Sequence, residues 1–325
     1  MNISVCVPVY GVEKYIERCA RSLFEQTMTD GIEFVFVDDC TKDKSIEVLK
    51  KVLEEYPERK EQVKIIHHEV NKGLTGARNT ALQYASGDYI IHCDSDDWVD
   101  ENLYETMYKK AISEQADVAM CSLAVESQSP SFVHINAISV QDMLDNYFSK
   151  NGFCTLCTKM FHRSIALRPE IIIPDNINMA EDLLRVTQMF LHSKTLTVCN
   201  DVSYHYRLNP TSVTNNYNRK TFENWIAVYN VLQEILPANY VAQRNALAGE
   251  LLLNGLFTKE ISCKEIRQKV TRKVHWQALF CKFIDWKRKA ILAIAFVSMP
   301  IAKICVKILM KIINMFRFST GNKHC

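Results

Sequence analysis

Tyr89-Ile-Ile-His-Cys-Asp-Ser-Asp-Asp97 is a short β-branched run that stops in three carboxylates within four residues. An apolar run of this length reads as a buried strand. Carboxylates gathered at a strand end repel one another, and a hard divalent cation relieves the repulsion. Mg²⁺ or Mn²⁺ commonly shares one or two protein carboxylates with substrate phosphates. The plainer reading of Asp94-Ser-Asp-Asp97 is a solvated acidic turn before a helix that Asp100 caps. The flanking sequence separates the two.

Working outward, short β-branched runs alternate with helical stretches up to about residue 122. Strands are expected at Ile3–Val9, Glu33–Val37, Val63–His67, Tyr89–Cys93 and Val118–Ser122. Helices are expected at Val12–Gln26, Lys44–Glu55, Gly76–Tyr84 and Glu101–Glu114. Strands alternating with helices imply an α/β fold with a mostly parallel sheet sandwiched by helices. Ligands of such sheets bind outside the carboxyl ends of the strands. Pro8-Val9-Tyr10, Asp38-Asp39 and Asp94–Asp97 all fall at those ends and are expected to converge. Further on, Val140–Ser149 and Ala180–His192 read as helices, and Thr195–Cys199 and Val202–Arg207 as strands. From Tyr217 the pattern is helical over about 219–236, 239–259 and 264–278.

Composition bounds the function. The chain of 325 residues has room for two domains, and 48% apolar with 23% charged residues is ordinary for a globular protein. From Phe280 onward nine Lys/Arg face Asp285 alone, a local charge of +8 that leaves −6 for residues 1–279 out of a total of +2. The main body therefore presents no basic surface for nucleic acid, whereas the tail suits an anionic partner. The N-terminus shows no basic region or cleavage site of a secretory leader. Twelve scattered cysteines, mostly within apolar runs, suit reduced thiols in a cytosolic protein. Cys154 and Cys157 form a lone C-x-x-C, weak ground for a metal or redox role.

Four segments, taken together, resemble the donor-binding half of family 2 glycosyltransferases, which have the GT-A fold. They are Ser4-Val-Cys-Val-Pro-Val-Tyr-Gly-Val-Glu-Lys-Tyr15, Val37-Asp-Asp-Cys-Thr-Lys-Asp43, Asn71-Lys-Gly-Leu-Thr-Gly-Ala-Arg-Asn79 and Ser86-Gly-Asp-Tyr-Ile-Ile-His-Cys-Asp-Ser-Asp-Asp-Trp98. The likeness continues through Thr158–Arg163, Glu181-Asp182 and Tyr204–Val213, about two-thirds of the chain.

The resemblance implies a nucleotide-sugar donor, of uridine diphosphate type, and Mn²⁺ or Mg²⁺ as cofactor. The turn at Pro8, Val9 and Tyr10, with Glu13, flanks the nucleobase. Asp39 reads a base N–H, or Asp38 holds that place. Lys72, Gly73 and Arg78 favour phosphate at a helix start, or Arg78 braces the acidic turn as a buried ion pair. Asp94 and Ser95 face the ribose or metal. Asp96 completes the Asp-x-Asp metal pair with Asp94, and His205 is a further candidate ligand. Displacement at an anomeric carbon needs a general base; the resemblance assigns it to Asp182, with Glu181 orienting it or binding acceptor. Asp97, Arg207 and Ser212 are expected near the diphosphate or acceptor. Cys40 departs from the family, which often has glycine there. The Gln-x-x-Arg-Trp element of processive relatives is absent, which favours transfer of a single sugar.

Ala290–Ala302 is an apolar run spanning about 20 Å as a helix, short of the ~30 Å hydrocarbon core. Lys303, Lys307 and Lys311 then recur opposite Ile304, Ile308, Leu309 and Ile312, the pattern of a basic helix lying in a membrane interface. The expected organisation is a donor half (1–122), an acceptor and base region (123–215), a helical region (216–279) and a membrane-associating tail (280–325). The function expected is transfer of one sugar to a glycan or lipid-linked acceptor, on the cytoplasmic face of the cell membrane, with residues 280–318 on anionic lipid. Two other classes fit parts of the pattern. One is a non-catalytic nucleotide-binding or scaffold protein on the same fold, and the other a nucleotidyltransferase, which would want a lysine-bearing glycine loop after the first strand.

Overall fold

The computed structural model describes residues 2–126, 131–147, 155–171, 173–208 and 217–308. They form two compact units: Met1–Leu144 with Phe153–Ser212, and Asp145–Gly152 with Val213–Cys325.

The first unit is built on nine strands: β1 (Ile3–Val9), β2 (Ile32–Asp38), β3 (Val63–His67), β4 (Tyr89–His92), β5 (Trp98–Val99), β6 (Val118–Glu126), β7 (Ser131–Val133), β8 (Lys159–His162) and β9 (Leu196–Arg207). Their order is β3-β2-β1-β4-β8-β6-β9-β5, with β7 beside β6. The four N-terminal strands run parallel, as the alternating pattern predicts. Past β4 the sheet is mixed: β8 is antiparallel to both β4 and β6, whereas β9 is parallel to β6. Every residue of β1 is buried, because helices cover both faces of the sheet. On one face Val5, Val7, Ile91 and Phe36 pack on α1 (Ile16–Phe24), α2 (Ser45–Glu54) and α4 (Leu103–Ser113) through Leu23, Leu49 and Met107. On the other face α3 (Gly73–Tyr84) lies against β1 and β2.

A polar staple closes the amino end of this sheet. Ser4 Oγ donates to Glu33 Oε1 at 2.5 Å and accepts from Gly87 N at 2.8 Å. A Cβ on Gly87 would stand 2.5 Å from the Ser4 nitrogen, so only glycine fits there. Lys64 pairs with Glu33 at 2.7 Å. The two strands expected at 195–199 and 202–207 are one strand, β9, with a shift of register against β6 between Cys121 and Ser122. Asn200 causes it: its amide bonds both backbone groups of Ile135 and accepts from Ser122 Oγ, pulling the backbone out of the ladder. Helices α5 (Val140–Tyr147), α6 (Arg163–Ala166) and α7 (Glu181–His192) complete the succession.

The second unit is helical: α8 (Arg219–Ile235), α9 (Val241–Phe257), α10 (Cys263–Lys269), α11 (Arg272–Leu279) and α12 (Trp286–Val297), followed by a helical stretch over 299–308. The helix expected at 264–278 breaks at Val270, where Thr271 caps α11 by accepting from Val274 N. The segment 286–306, expected as part of a separate tail, supplies Leu292, Ala295, Met299, Ala302 and Val306 to the core around α9. Lys303 turns inward and donates to the carbonyls of Thr258 and Ile261 just past the end of α9.

Candidate active site

The site is assembled at the carboxyl ends of β1, β2 and β4. Pro8 and Val9 end β1, and Tyr10 beyond them is about half exposed. Val9 O accepts from Asp39 N at 3.0 Å, which joins the two strand-end turns. Asp38 accepts from Thr41 N at 2.9 Å and meets His67 Nδ1 at 2.9 Å. Glu13 accepts from Lys44 N at 3.2 Å, at the entrance of α2. Between these, Cys40 has φ +58, the left-handed region that glycine enters without cost. The departure seen in sequence is therefore a residue held in a glycine conformation.

Asp39 is buried and shapes the loop before α3. It accepts from Lys72 N at 2.7 Å and Gly73 N at 2.8 Å, and meets His68 Nδ1 at 2.8 Å. Thr75 N donates to Asn178 Oδ1 at 3.0 Å. The backbone donors of Lys72, Gly73 and Thr75 at this helix start, expected to face phosphate, thus have protein partners. Gly73 has φ +79, and a Cβ there would stand 2.6 Å from Asn178 Oδ1.

Arg78, one turn further along α3, is 1% exposed and joins three carboxylates. Nη2 donates to Asp94 Oδ1 at 2.8 Å, and Nη1 donates to Glu181 Oε1 at 2.6 Å and to Asp182 Oδ1. It braces the acidic turn, the second of its two expected roles. Burial disfavours its charge, but the three acids outweigh burial and hold it protonated. Glu181 and Asp182 open α7, and the preceding Ala180 has φ +59. Burial, and then the Asp182 charge, push the Glu181 carboxyl up to about 8 against the pull of Arg78. Asp182 and Asp94 remain partly open to solvent, at 27% and 31% of their side chains, while Glu181 is buried.

Asp97 and Tyr204 form the neighbouring tie. Tyr204 Oη donates to Asp97 Oδ2 at 2.6 Å and accepts from Asp94 N at 3.1 Å, and Arg207 N donates to Asp97 Oδ1 at 2.7 Å. Burial, and then the charge of Asp94, push the Asp97 carboxyl up to about 8, with these hydrogen bonds opposing and Asp96 adding to the rise. Ser95 is buried, and Asp96 is half-buried. The Arg207 guanidinium lies 4.3 Å over the Tyr15 ring. His205 stacks on Trp98 at 5.3 Å, with Nε2 2.6 Å from Asp100 Oδ1. Asp100 therefore ties β5 to β9, through His205 and Ser203 N at 2.8 Å, and the residue at the cap of α4 is Asn102. Ser212 and Cys154 lie outside the described residues.

Among the described residues, no three or more His, Cys, Asp or Glu converge as a full metal-ligand set. Asp94, Asp96 and Asp97 nonetheless lie together, and burial first, then the charge of Asp94 and last that of Asp96, push the Asp97 carboxyl up. A divalent cation held by Asp94 and Asp96 and completed by donor phosphates fits that group of acids. His205 fits it less well, since its Nε2 is committed to Asp100. Tyr204 was not singled out as a site residue from sequence. Its signal is one of two alternate tyrosines, with Tyr206, near the end of β9, which only the pairing with Asp97 makes legible.

Similarity to known proteins agrees with this geometry. The family model described as glycosyl transferase family 2 matches residues 4–168. EpsH of Bacillus subtilis (strain 168) is 29% identical over 248 residues, covering 73% of this chain and 70% of EpsH. The poly(ribitol-phosphate) beta-N-acetylglucosaminyltransferase TarS of Staphylococcus aureus is 27% identical over 209 residues, covering 63% of this chain and 35% of TarS. The TarS 1–349 crystal structure superposes with a TM-score of 0.68 at 19% identity, over 96% of this chain and 91% of that one. TarS 1–349 has also been solved with UDP (TM-score 0.65, 20% identity, 94% and 89% coverage). A mannosyltransferase of Pyrobaculum calidifontis, solved with GDP-Man and Mn²⁺, superposes at 0.57 and 15% identity, over 94% and 86% of the chains. The chain, with its GT-A fold and its acidic strand-end site, belongs to glycosyl transferase family 2.

Proposed function

We propose that this glycosyltransferase moves one hexosyl or N-acetylhexosaminyl unit from a uridine diphosphate sugar to a hydroxyl of a cell-surface glycan or its lipid-linked precursor, with inversion. The observation that carries the reading is the Arg78 bridge. One buried guanidinium couples Asp94, at the strand end where α/β folds bind nucleotides, to Asp182 at the start of α7. The solved complexes of TarS with UDP and UDP-GlcNAc support the donor class, and the name of TarS supports a surface-polymer acceptor.

In this reading Pro8, Val9, Tyr10, Glu13, Asp38 and Asp39 form the nucleoside end of the site, with Lys72 and Gly73 beside it. Asp94 and Ser95 face the ribose. Asp96 and Asp94 would hold Mn²⁺ or Mg²⁺, which would supply positive charge to the departing diphosphate. Asp182, hydrogen-bonded to Arg78, takes the proton of the acceptor hydroxyl as its oxygen attacks the anomeric carbon and the bond to the diphosphate breaks. Glu181, neutral below about pH 8, orients Asp182. Asp97 fixes β9, so that Arg207, with Ser212, serves the diphosphate or the acceptor. The protein works in the cytoplasm, peripheral on the inner face of the cell membrane.

The test is a panel of UDP- and GDP-sugars, with and without Mn²⁺, read by thermal shift and by donor hydrolysis. A UDP-sugar should stabilise the protein and be hydrolysed slowly, and Asp96→Ala should abolish the turnover. Stabilisation by no nucleotide sugar would defeat the reading. Binding without turnover would leave a nucleotide-binding scaffold instead.

A further inference from the structure

The helical unit exposes apolar side chains in an unusual concentration. Ile294, Val297, Ile301, Ile304 and Ile308 are 37%, 86%, 55%, 58% and 53% exposed. Ile294 and Val297, three residues apart, share a flank of α12, and Ile301, Ile304 and Ile308, three and four apart, share a flank of the helical stretch 299–308 that follows the break at Ser298. The opposite flank, Leu292, Ala295, Met299, Ala302 and Val306, is packed into a single core, so both bare flanks look outward from the same unit. Bare aliphatic flanks on two successive helices of one folded unit mark an interaction surface.

Its surroundings point to the occupant. Lys287 and Lys307 are exposed on the same segment, and the N-cap Asp285, whose side chain accepts from the first turn of α12, is its one acid. Two copies meeting through this face would bring like charges together, whereas an anionic bilayer meets both the lysines and the aliphatic stripe. Within the helical stretch 299–308, Ile301 to Ile308 cover about 10 Å, too short to span the ~30 Å hydrocarbon layer but suited to lie along its surface. Among the described residues no helix is long and apolar enough to cross a membrane.

We propose that the flank of Ile294, Val297, Ile301, Ile304 and Ile308 is a preformed face that inserts in the plane of an anionic bilayer; this rests on the peripheral-membrane part of the function proposed above. Lys303, which the sequence pattern set among the lipid-facing cations, instead anchors the helix to its own domain.

Truncation at residue 279 cannot test this, because it removes core residues of the unit. The test is co-sedimentation of the full chain with phosphatidylcholine vesicles, with and without phosphatidylglycerol. Wild type should sediment with the anionic vesicles. Ile304→Glu alone should weaken partition about tenfold or more, from loss of one inserted aliphatic side chain. Ile301→Glu with Ile304→Glu should abolish it, with unchanged circular-dichroism melting and donor hydrolysis. Lys287→Glu with Lys307→Glu should weaken it at low salt. Wild type that sediments with neither vesicle defeats the membrane reading and this inference with it. If wild type binds, three results overturn the stripe alone: stripe variants that bind like wild type, loss of binding on deleting 309–325 with the stripe intact, or a solution dimer that the stripe variants dissociate.

Discussion

Arg78 and Glu181 stand 2.6 Å apart with both side chains out of water, and the same Arg78 nitrogen also reaches Asp182. A buried guanidinium shared among acids cannot lose its partners cheaply. Arg78→Met should destabilise the protein by about 3–5 kcal/mol, the cost of leaving buried charge unpaired. Arg78→Lys keeps the charge but not the fork, so it should retain most of the stability while losing about 10²-fold in turnover. Denaturant melts beside donor-transfer rates separate the two effects.

The adjacent acids should respond differently to removal of charge. Asp182→Asn deletes the proposed base and should lower kcat by about 10²–10⁴-fold with little change in donor KM. Glu181 is already neutral below about pH 8, so Glu181→Gln should cost no more than about tenfold near neutrality. Equal losses in both variants would contradict the assignment.

Stability without ligands should fall as pH rises. Asp97 and Glu181 both have folded-state values near 8, above those of an unfolded chain near 4. The folded protein therefore binds more protons across that window. The contribution is complete below about pH 4 and is lost as pH climbs through about 8, at up to about 1.4 kcal/mol per pH unit for each group. Melting temperatures between about pH 5 and 9 should show the decline, and Asp97→Asn should flatten it. Tyr204→Phe removes a hydrogen bond that favours the Asp97 carboxylate, and should extend the decline to higher pH.

Cys40 at φ +58 carries a left-handed backbone cost of about 1–2 kcal/mol, of which glycine returns about 0.5–1 through chain entropy. Cys40→Gly should leave stability unchanged or raise it by up to about 1 kcal/mol, and Cys40→Val should lower it. Urea unfolding of the three proteins checks the ordering.

The N-terminal elements were open to reading because each is specified locally. The short β-branched run Ile3–Val9 reads as a strand covered on both sides, and the helices between such strands favour a parallel order. Adjacency at the strand ends follows from the same geometry, which is why the sequence alone groups Asp38, Asp39 and Asp94. The part of the sheet beyond β4 was less legible. There strand identity depends on partners far away in the chain, as β9 shows, where the Asn200 amide on Ile135 decides whether one strand or two is read.

Residue type and order alone determined the α/β core, the acidic strand end and the acidic start of α7, because period, turn chemistry and charge are written locally. What Arg78, Asp39 and Lys303 bind was decided only by the tertiary structure. Each long polar side chain had several partners of suitable charge within its reach in sequence terms. Burial removed water from that competition, so the partners that packing places within hydrogen-bond distance took it: three acids for Arg78, two backbone N–H groups and a histidine for Asp39, two carbonyls for Lys303.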